Sequence, residues 1–283
     1  MKIKLIKKEK HDEERAYFAS KNCHFKNITI AGKLDGESAF KECRNIEITK
    51  SKLALRYPCW NSQNLKVSDT RILKTARAPF WYDQHLLIEN VHSQGIKAVR
   101  EDKHVEIFRS TFISDEFGWQ CRDLKIEDSH IVGFYAFFHS KNVTLKNVTL
   151  DGKYSFQYID GLKIDNCVLN TKDAFWHTKN AIINNSTIIG EYLGWHSQNI
   201  IFNNCHIIGT QPLCYAQNIK FINCTFEKAD LAFEYSEVNG TINETLISIK
   251  NPLSGRLIID QIPEMIVDEN DKSQGRFSIE SIK

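Results

Sequence analysis

The chain has 283 residues, 42% hydrophobic and 25% charged, proportions that exclude a disordered or collagen-like polypeptide. Lys and Arg total 37 against 35 Asp and Glu, and this net charge of +2 gives no reason to expect nucleic acid or a membrane surface as partner. No apolar run approaches the ~18 residues that span a bilayer.

The first ten residues, from Met1 to Lys10, are interrupted by charge at almost every step. They contain no apolar signal-peptide core, which predicts a cytoplasmic chain. In that compartment the 8 cysteines are expected to stay reduced and to pack as small apolar residues. No CxxC pair occurs, so neither a zinc ribbon nor a redox motif is indicated. An amphipathic stretch from His11 to Ser20 falls within residues 1–21, which are assigned as an N-terminal cap.

From residue 22 onward a repeat governs the sequence. Asn142-Val143-Thr144-Leu145-Lys146-Asn147-Val148-Thr149-Leu150 matches Asn199-Ile200-Ile201-Phe202-Asn203-Asn204-Cys205-His206-Ile207, and Asn22 and Asn218 open similar segments. Each segment has a polar anchor, apolar residues one, three and eight positions later, Asn or Asp at five and a small residue at six. The anchors are Asn22, Asn45, Asn64, His85, His104, Asp123, Asn142, Gly161, Asn180, Asn199, Asn218 and Asn239, mostly 19 residues apart. That period is too short for helix-pair repeats. The short alternating runs of Ile, Val, Phe and Thr favour strands. The predicted fold is all-β, a single-stranded parallel β-solenoid of about 12 coils of about 19 residues.

In such a fold, residues at equivalent positions stack. Val67, Ile88, Ile107 and Ile126 belong to one core column, and Ile72, Phe112, Ile131 and Leu150 to another. Glycines ten positions after the anchor (Gly95, Gly133, Gly152, Gly190, Gly209) mark a corner. Asn147, Asn166, Asn185 and Asn204 form a ladder that serves structure. Cys205 and Cys224 come within disulfide reach on adjacent coils, although a reducing compartment favours thiols. The solenoid is assigned to residues 22–247. Residues 248–283, punctuated by Pro252, Gly255 and Pro263, are assigned as a C-terminal capping segment.

The Asn ladders and Ile/Val/Phe columns over residues 22–247 resemble those of the right-handed parallel β-helix proteins of the pectate-lyase-like superfamily, in particular a bacterial β-helix family of uncharacterised function. The resemblance implies the right hand of the winding and is silent on activity. Pentapeptide solenoids want a small residue one position after the anchor, where this chain has Ile, Leu or Val. Hexapeptide solenoids need a period of 18.

The segment before each anchor forms a third face. Four positions before the anchor stand Trp60, Trp81, Arg100, Trp119, Phe138, Gln157, Trp176, Trp195 and Cys214, a column that holds all five tryptophans. The next column contains Asn61, Tyr82, Glu101, Gln120, His139, Tyr158, His177 and His196. Position minus five (Phe80, Val99, Phe137, Phe156, Phe175) looks inward, so the tryptophans are expected to face outward as a binding stripe. The alternative is that the indoles fill the core.

Three constellations carry candidate chemistry. Arg56, Arg77, Lys97 and Arg100 offer the cations with which polysaccharide lyases neutralise a uronate and remove its proton. Glu101 and Glu116 offer carboxylates of the kind glycosidases pair, although Lys97 and Glu116 also suit a surface ion pair. His177 and His196, one coil apart, leave a divalent cation open, while no metal ligand or cofactor is assigned. The expected function is a carbohydrate-active protein, a lyase or glycoside hydrolase, with Arg77, Lys97, Arg100, Glu101 and Glu116 catalytic. Trp60, Trp81, Trp119, Tyr82, His139, Trp176, His177, Trp195 and His196 would bind an oligosaccharide or uronate-type ligand. The alternatives are a non-catalytic glycan- or protein-binding scaffold and a structural rod that self-associates through the stripe.

Overall fold

A computed structural model describes residues 3–244, 246–268 and 275–281. Residues 1–2 of the expected N-terminal cap, 245 of the solenoid, and 269–274 and 282–283 of the expected C-terminal segment lie outside the described residues. The fold is a right-handed parallel β-helix of about 14 turns. Among the described residues no helix is long and apolar enough to cross a membrane.

Two compact units divide the chain, Met1–Thr144 and Leu145–Lys283. In the N-terminal unit the first sheet runs through Lys4–Lys7, Lys21–Lys26, Arg44–Thr49, Gln63–Ser68, Gln84–Glu89, Lys103–Phe108 and Arg122–Glu127, each parallel to the next. In the C-terminal unit the corresponding series is Asp160–Asp165, Lys179–Asn184, Gln198–Asn203, Gln217–Glu227, Val238–Ile242, Gly255–Ile259 and Phe277–Ser281. The count exceeds the 12 coils expected from sequence because strands continue into both segments assigned as caps. Lys4–Lys7 pairs with Cys23–Lys26, and Gly255–Ile259 pairs with Phe277–Ser281.

The register stacks equivalent positions. Val67, Ile88, Ile107 and Ile126 are partners across successive strands, as are Ile164, Ile183, Phe202 and Phe221. All are at most 1% exposed. Burial of these columns is the main force holding one coil to the next.

Corners are set by residues in the left-handed region. Around Asn199 these are Tyr192, Gly194, His196, Asn199 and Asn204, all with φ between 53° and 69°. Left-handed backbone is costly for most residues, and Asn is among the side chains that adopt it most readily. The Asn side chains also join the coils. Asn199 Nδ2 donates to Asn180 Oδ1 at 3.0 Å, and Asn218 Nδ2 donates to Asn199 Oδ1 at 2.9 Å. Asn199→Ala should therefore lose about 1–2 kcal/mol in urea unfolding. Asn199→Gly, which keeps the backbone and loses only the ladder, should fall between. An alanine variant as stable as the parent would contradict the ladder's structural role.

The corner at Gly209 has a further requirement. Its φ is 141°, and a Cβ there would sit 2.1 Å from the Gly190 carbonyl oxygen of the preceding coil. The close approach of backbone to backbone, as much as the dihedral angle, demands glycine.

Candidate functional site

The third face turns its tryptophans outward. Phe80, Val99, Phe137, Phe156 and Phe175 are fully buried, while Trp60, Trp81, Trp119, Trp176 and Trp195, one residue further on, are half-buried. The column is not outward throughout, because Gln157 and Cys214 in it are buried.

The indoles also pack against one another and against neighbouring cations. Side chains repeated at the coil spacing meet ring on ring. Trp60 and Trp81 lie 5.4 Å apart at 13°, and the Lys41 ammonium sits 4.1 Å from the Trp60 ring centroid. The Arg100 guanidinium stands 5.2 Å from the Trp119 ring, which packs on Phe138 at 5.0 Å. Cations and aromatics thus pack against one another's rings in the N-terminal unit. Trp119 Nε1 is also engaged, donating to the Tyr135 carbonyl at 2.5 Å.

The C-terminal unit repeats the pattern. Trp176 and Trp195 stack at 5.6 Å and 10°, donating to the Tyr192 and Gln211 carbonyls. Beside them Tyr158, His177, His196 and Tyr215 form a continuous pile with centroids 4.7–5.0 Å apart. Burial, with His196 and Lys179 nearby, lowers the pKa of His177. The two imidazoles are only 9° from parallel, so their in-plane nitrogen lone pairs run side by side and do not converge. Among the described residues no group of three or more His, Cys, Asp or Glu is placed to hold a metal ion.

The five candidate catalytic residues separate into a network and an outlier. Lys97 Nζ meets Glu116 Oε2 at 2.9 Å, Arg100 meets the same carboxylate at 3.5 Å, and Arg100 Nε meets Glu101 Oε1 at 3.3 Å. Arg77 is exposed on the adjacent coil, and among the described residues no ion pair is seen between it and this network. His139 is exposed beside Phe138.

Glu101 is the polar centre. Besides Arg100 it accepts from Trp81 Nε1 at 3.4 Å, and the Tyr82 hydroxyl donates to it, which raises the Tyr82 pKa. It faces a surface hollow of about 380 Å³ lined by Lys41, Glu42, Trp60, Asn61, Tyr82, Gln84, Glu101 and Lys103. Lys41, Glu42, Gln84 and Lys103 were not among the residues singled out from sequence. Lys41 and Glu42 extend the Trp60 and Asn61 columns one coil toward the N-terminus, and Gln84 and Lys103 directly precede the anchors His85 and His104. Reading those columns one coil further would have found the first pair.

Beneath the hollow lies a pair of buried acids. Asp83 and Asp102 are fully buried on adjacent coils. Several other coils place a hydroxyl at this corner, where Ser62 and Ser140 each accept a backbone N–H and donate to a carbonyl. Asp83 Oδ1 accepts from the Ser62 N–H and Asp102 Oδ1 from the Asp83 N–H, both at 2.6 Å, while each Oδ2 has no partner. Burial pushes the Asp83 carboxyl up to about 8, and burial together with Asp83 pushes Asp102 well above its usual range. Burial thus favours the neutral form of both acids, and each takes over the hydroxyl's role as N–H acceptor but not its role as donor.

The family described as protein of unknown function (DUF3737) matches residues 4–280 of this chain. The chain belongs to that family. No curated protein matches the sequence. Among solved structures it is similar to the surface adhesin PfbA of Streptococcus pneumoniae, at 9% identity and a TM-score of 0.40 over 88% of this chain and 83% of that one. It is also similar to the A-module of the Azotobacter vinelandii mannuronan C-5 epimerase AlgE4, at 11% identity and a TM-score of 0.41 over 97% and 89%. Tailspike protein 3 of bacteriophage CBA120 matches at 11% identity and a TM-score of 0.29, over 98% of this chain and 51% of that one. At these identities the likeness is one of fold, and it leaves the activity of this family member to be argued from its own residues.

Proposed function

We propose that the chain is a carbohydrate-binding β-helix protein that takes an oligosaccharide with acidic units into the hollow centred on Glu101. The observation that carries this reading is the lining. Glu42, Asn61, Gln84 and Glu101 can bond sugar hydroxyls, Trp60 and Tyr82 supply apolar edges, and Lys41 and Lys103 supply charge for a sugar carboxylate. The mutual pairing of Lys97, Arg100 and Glu116 weighs against the lyase reading, since a cation held by a carboxylate is a poor proton acceptor. Glycoside hydrolysis would draw on the carboxylates that face the hollow, Glu42 and Glu101.

Calorimetry with a panel of neutral and uronate-containing oligosaccharides tests the proposal. A uronate oligomer should bind, and Trp60→Ala and Glu101→Gln should each weaken it about tenfold or more, roughly 1.4 kcal/mol. A panel in which no sugar binds, or binding untouched by both variants, rejects the reading. Reducing-end release during the same incubations separates a hydrolase from a non-catalytic binder.

A further inference from the structure

The other eight-residue inventory of this chain, its cysteines, is buried throughout. One pair occupies the same position on consecutive coils of the C-terminal unit. Asn203 lies in register with Ile222 and His206 with Thr225, which places Cys205 directly over Cys224. Adjacent parallel strands lie ~4.8 Å apart, within the Cα separation of about 4.4–6.8 Å that a disulfide requires. Cys205 Sγ donates to the Ile183 carbonyl and Cys224 Sγ to the Phe202 carbonyl, both at 3.3 Å, so both side chains turn into the same corner.

The structural task at this corner needs no sulfur. Ser110 and Ser186 occupy the equivalent position, and each takes the N–H of the preceding coil while donating to a carbonyl two residues back. The Cys pair keeps that bonding pattern and adds oxidisable chemistry. The register holds the two sulfurs one strand spacing apart at the same corner, so either can attack the other once one is oxidised.

We propose that Cys205 and Cys224 form a reversible disulfide, with a small hydroperoxide as oxidant, closing one coil of the C-terminal unit into a covalent ring. One of the two thiols gives up its proton and its sulfur attacks the peroxide oxygen, the O–O bond breaks, and a sulfenic acid forms as the alcohol or water leaves with that proton. The sulfur of the other cysteine then attacks the oxidised sulfur. The S–O bond breaks, the second thiol's proton leaves with the hydroxyl as water, and the disulfide remains. At 2% and 0% exposure the pair admits hydrogen peroxide more readily than a bulky disulfide reagent.

The test treats the folded full chain with hydrogen peroxide and reads intact mass, thiol titre after unfolding and the cross-linked peptide. Two of the 8 thiols should disappear with the loss of two hydrogens, in one peptide joining residues 205 and 224, and dithiothreitol should restore both. Cys205→Ser and Cys224→Ser should fold, because serine suits this corner, and each should abolish the cross-link. A preference for any other cysteine pair, over-oxidation of Cys205 or Cys224 without a cross-link, or an unchanged titre of eight would overturn the proposal.

Discussion

Between pH 5 and 8 the parent chain is expected to lose stability, and a double variant carrying Asp83→Asn and Asp102→Asn is expected to keep it. The direction follows from burial. Both carboxyls have raised pKa values in the folded state, with Asp83 near 8. Unfolded aspartate titrates near 3.9. Below about pH 4 both states hold the protons and the acids contribute no pH dependence. From there to about pH 8 the unfolded state releases protons that the folded state keeps. Stability then falls as pH rises through this range before the loss levels off. An asparagine keeps the oxygen that accepts the 2.6 Å N–H bond and cannot ionise. Urea unfolding across this pH range should show a steep decline for the parent and a flatter curve for the variant. Parallel curves would mean that the two acids do not ionise on unfolding as argued.

The second large effect is in the core of the third face. Phe175 is fully buried and stacks on Phe156 at 4.8 Å and 6°. Phe175→Ala should cost about 3–5 kcal/mol through lost transfer energy and the remaining cavity. That is a large share of the 5–15 kcal/mol typical of a domain. The backbone adds an unusual twist, because Phe175 has φ 61° and the same position is glycine at Gly118 and Gly194. Phe175→Gly should therefore be no less stable than Phe175→Ala, the reverse of the order found in ordinary strands. If glycine proved clearly worse in chemical denaturation, left-handed strain at this column would be refuted.

How far the sequence could be read depended on what each residue answers to. The columns containing Val67 and Ile164 were legible because period and burial are the same information in a solenoid. The outward turn of Trp60 and Trp176 followed from Phe80 and Phe175 pointing inward. The end coils were not legible, because Lys4–Lys7 and Phe277–Ser281 carry strand pairing without the Asn anchors. The hollow was missed for a related reason, since Gln84 and Lys103 sit in a column of otherwise unremarkable polar residues. The closure of Arg100 onto both Glu101 and Glu116 depends on side-chain reach across two neighbouring coils. Spacing alone does not specify that reach. Asp83 and Asp102 stood in a column that also holds Ser62, Cys121, Ser140, Ile159 and Ala216, where two adjacent acids among hydroxyl and apolar residues were visible as an anomaly.

The recurrence of left-handed residues at Tyr192, Gly194, His196, Asn199 and Asn204 also bears on how such a chain can change in length. Removing one residue between two corners would hand each rigid torsion to a neighbour unable to adopt it, whereas removing an entire winding would return every residue to a familiar setting. Size in this architecture is therefore quantised in whole windings.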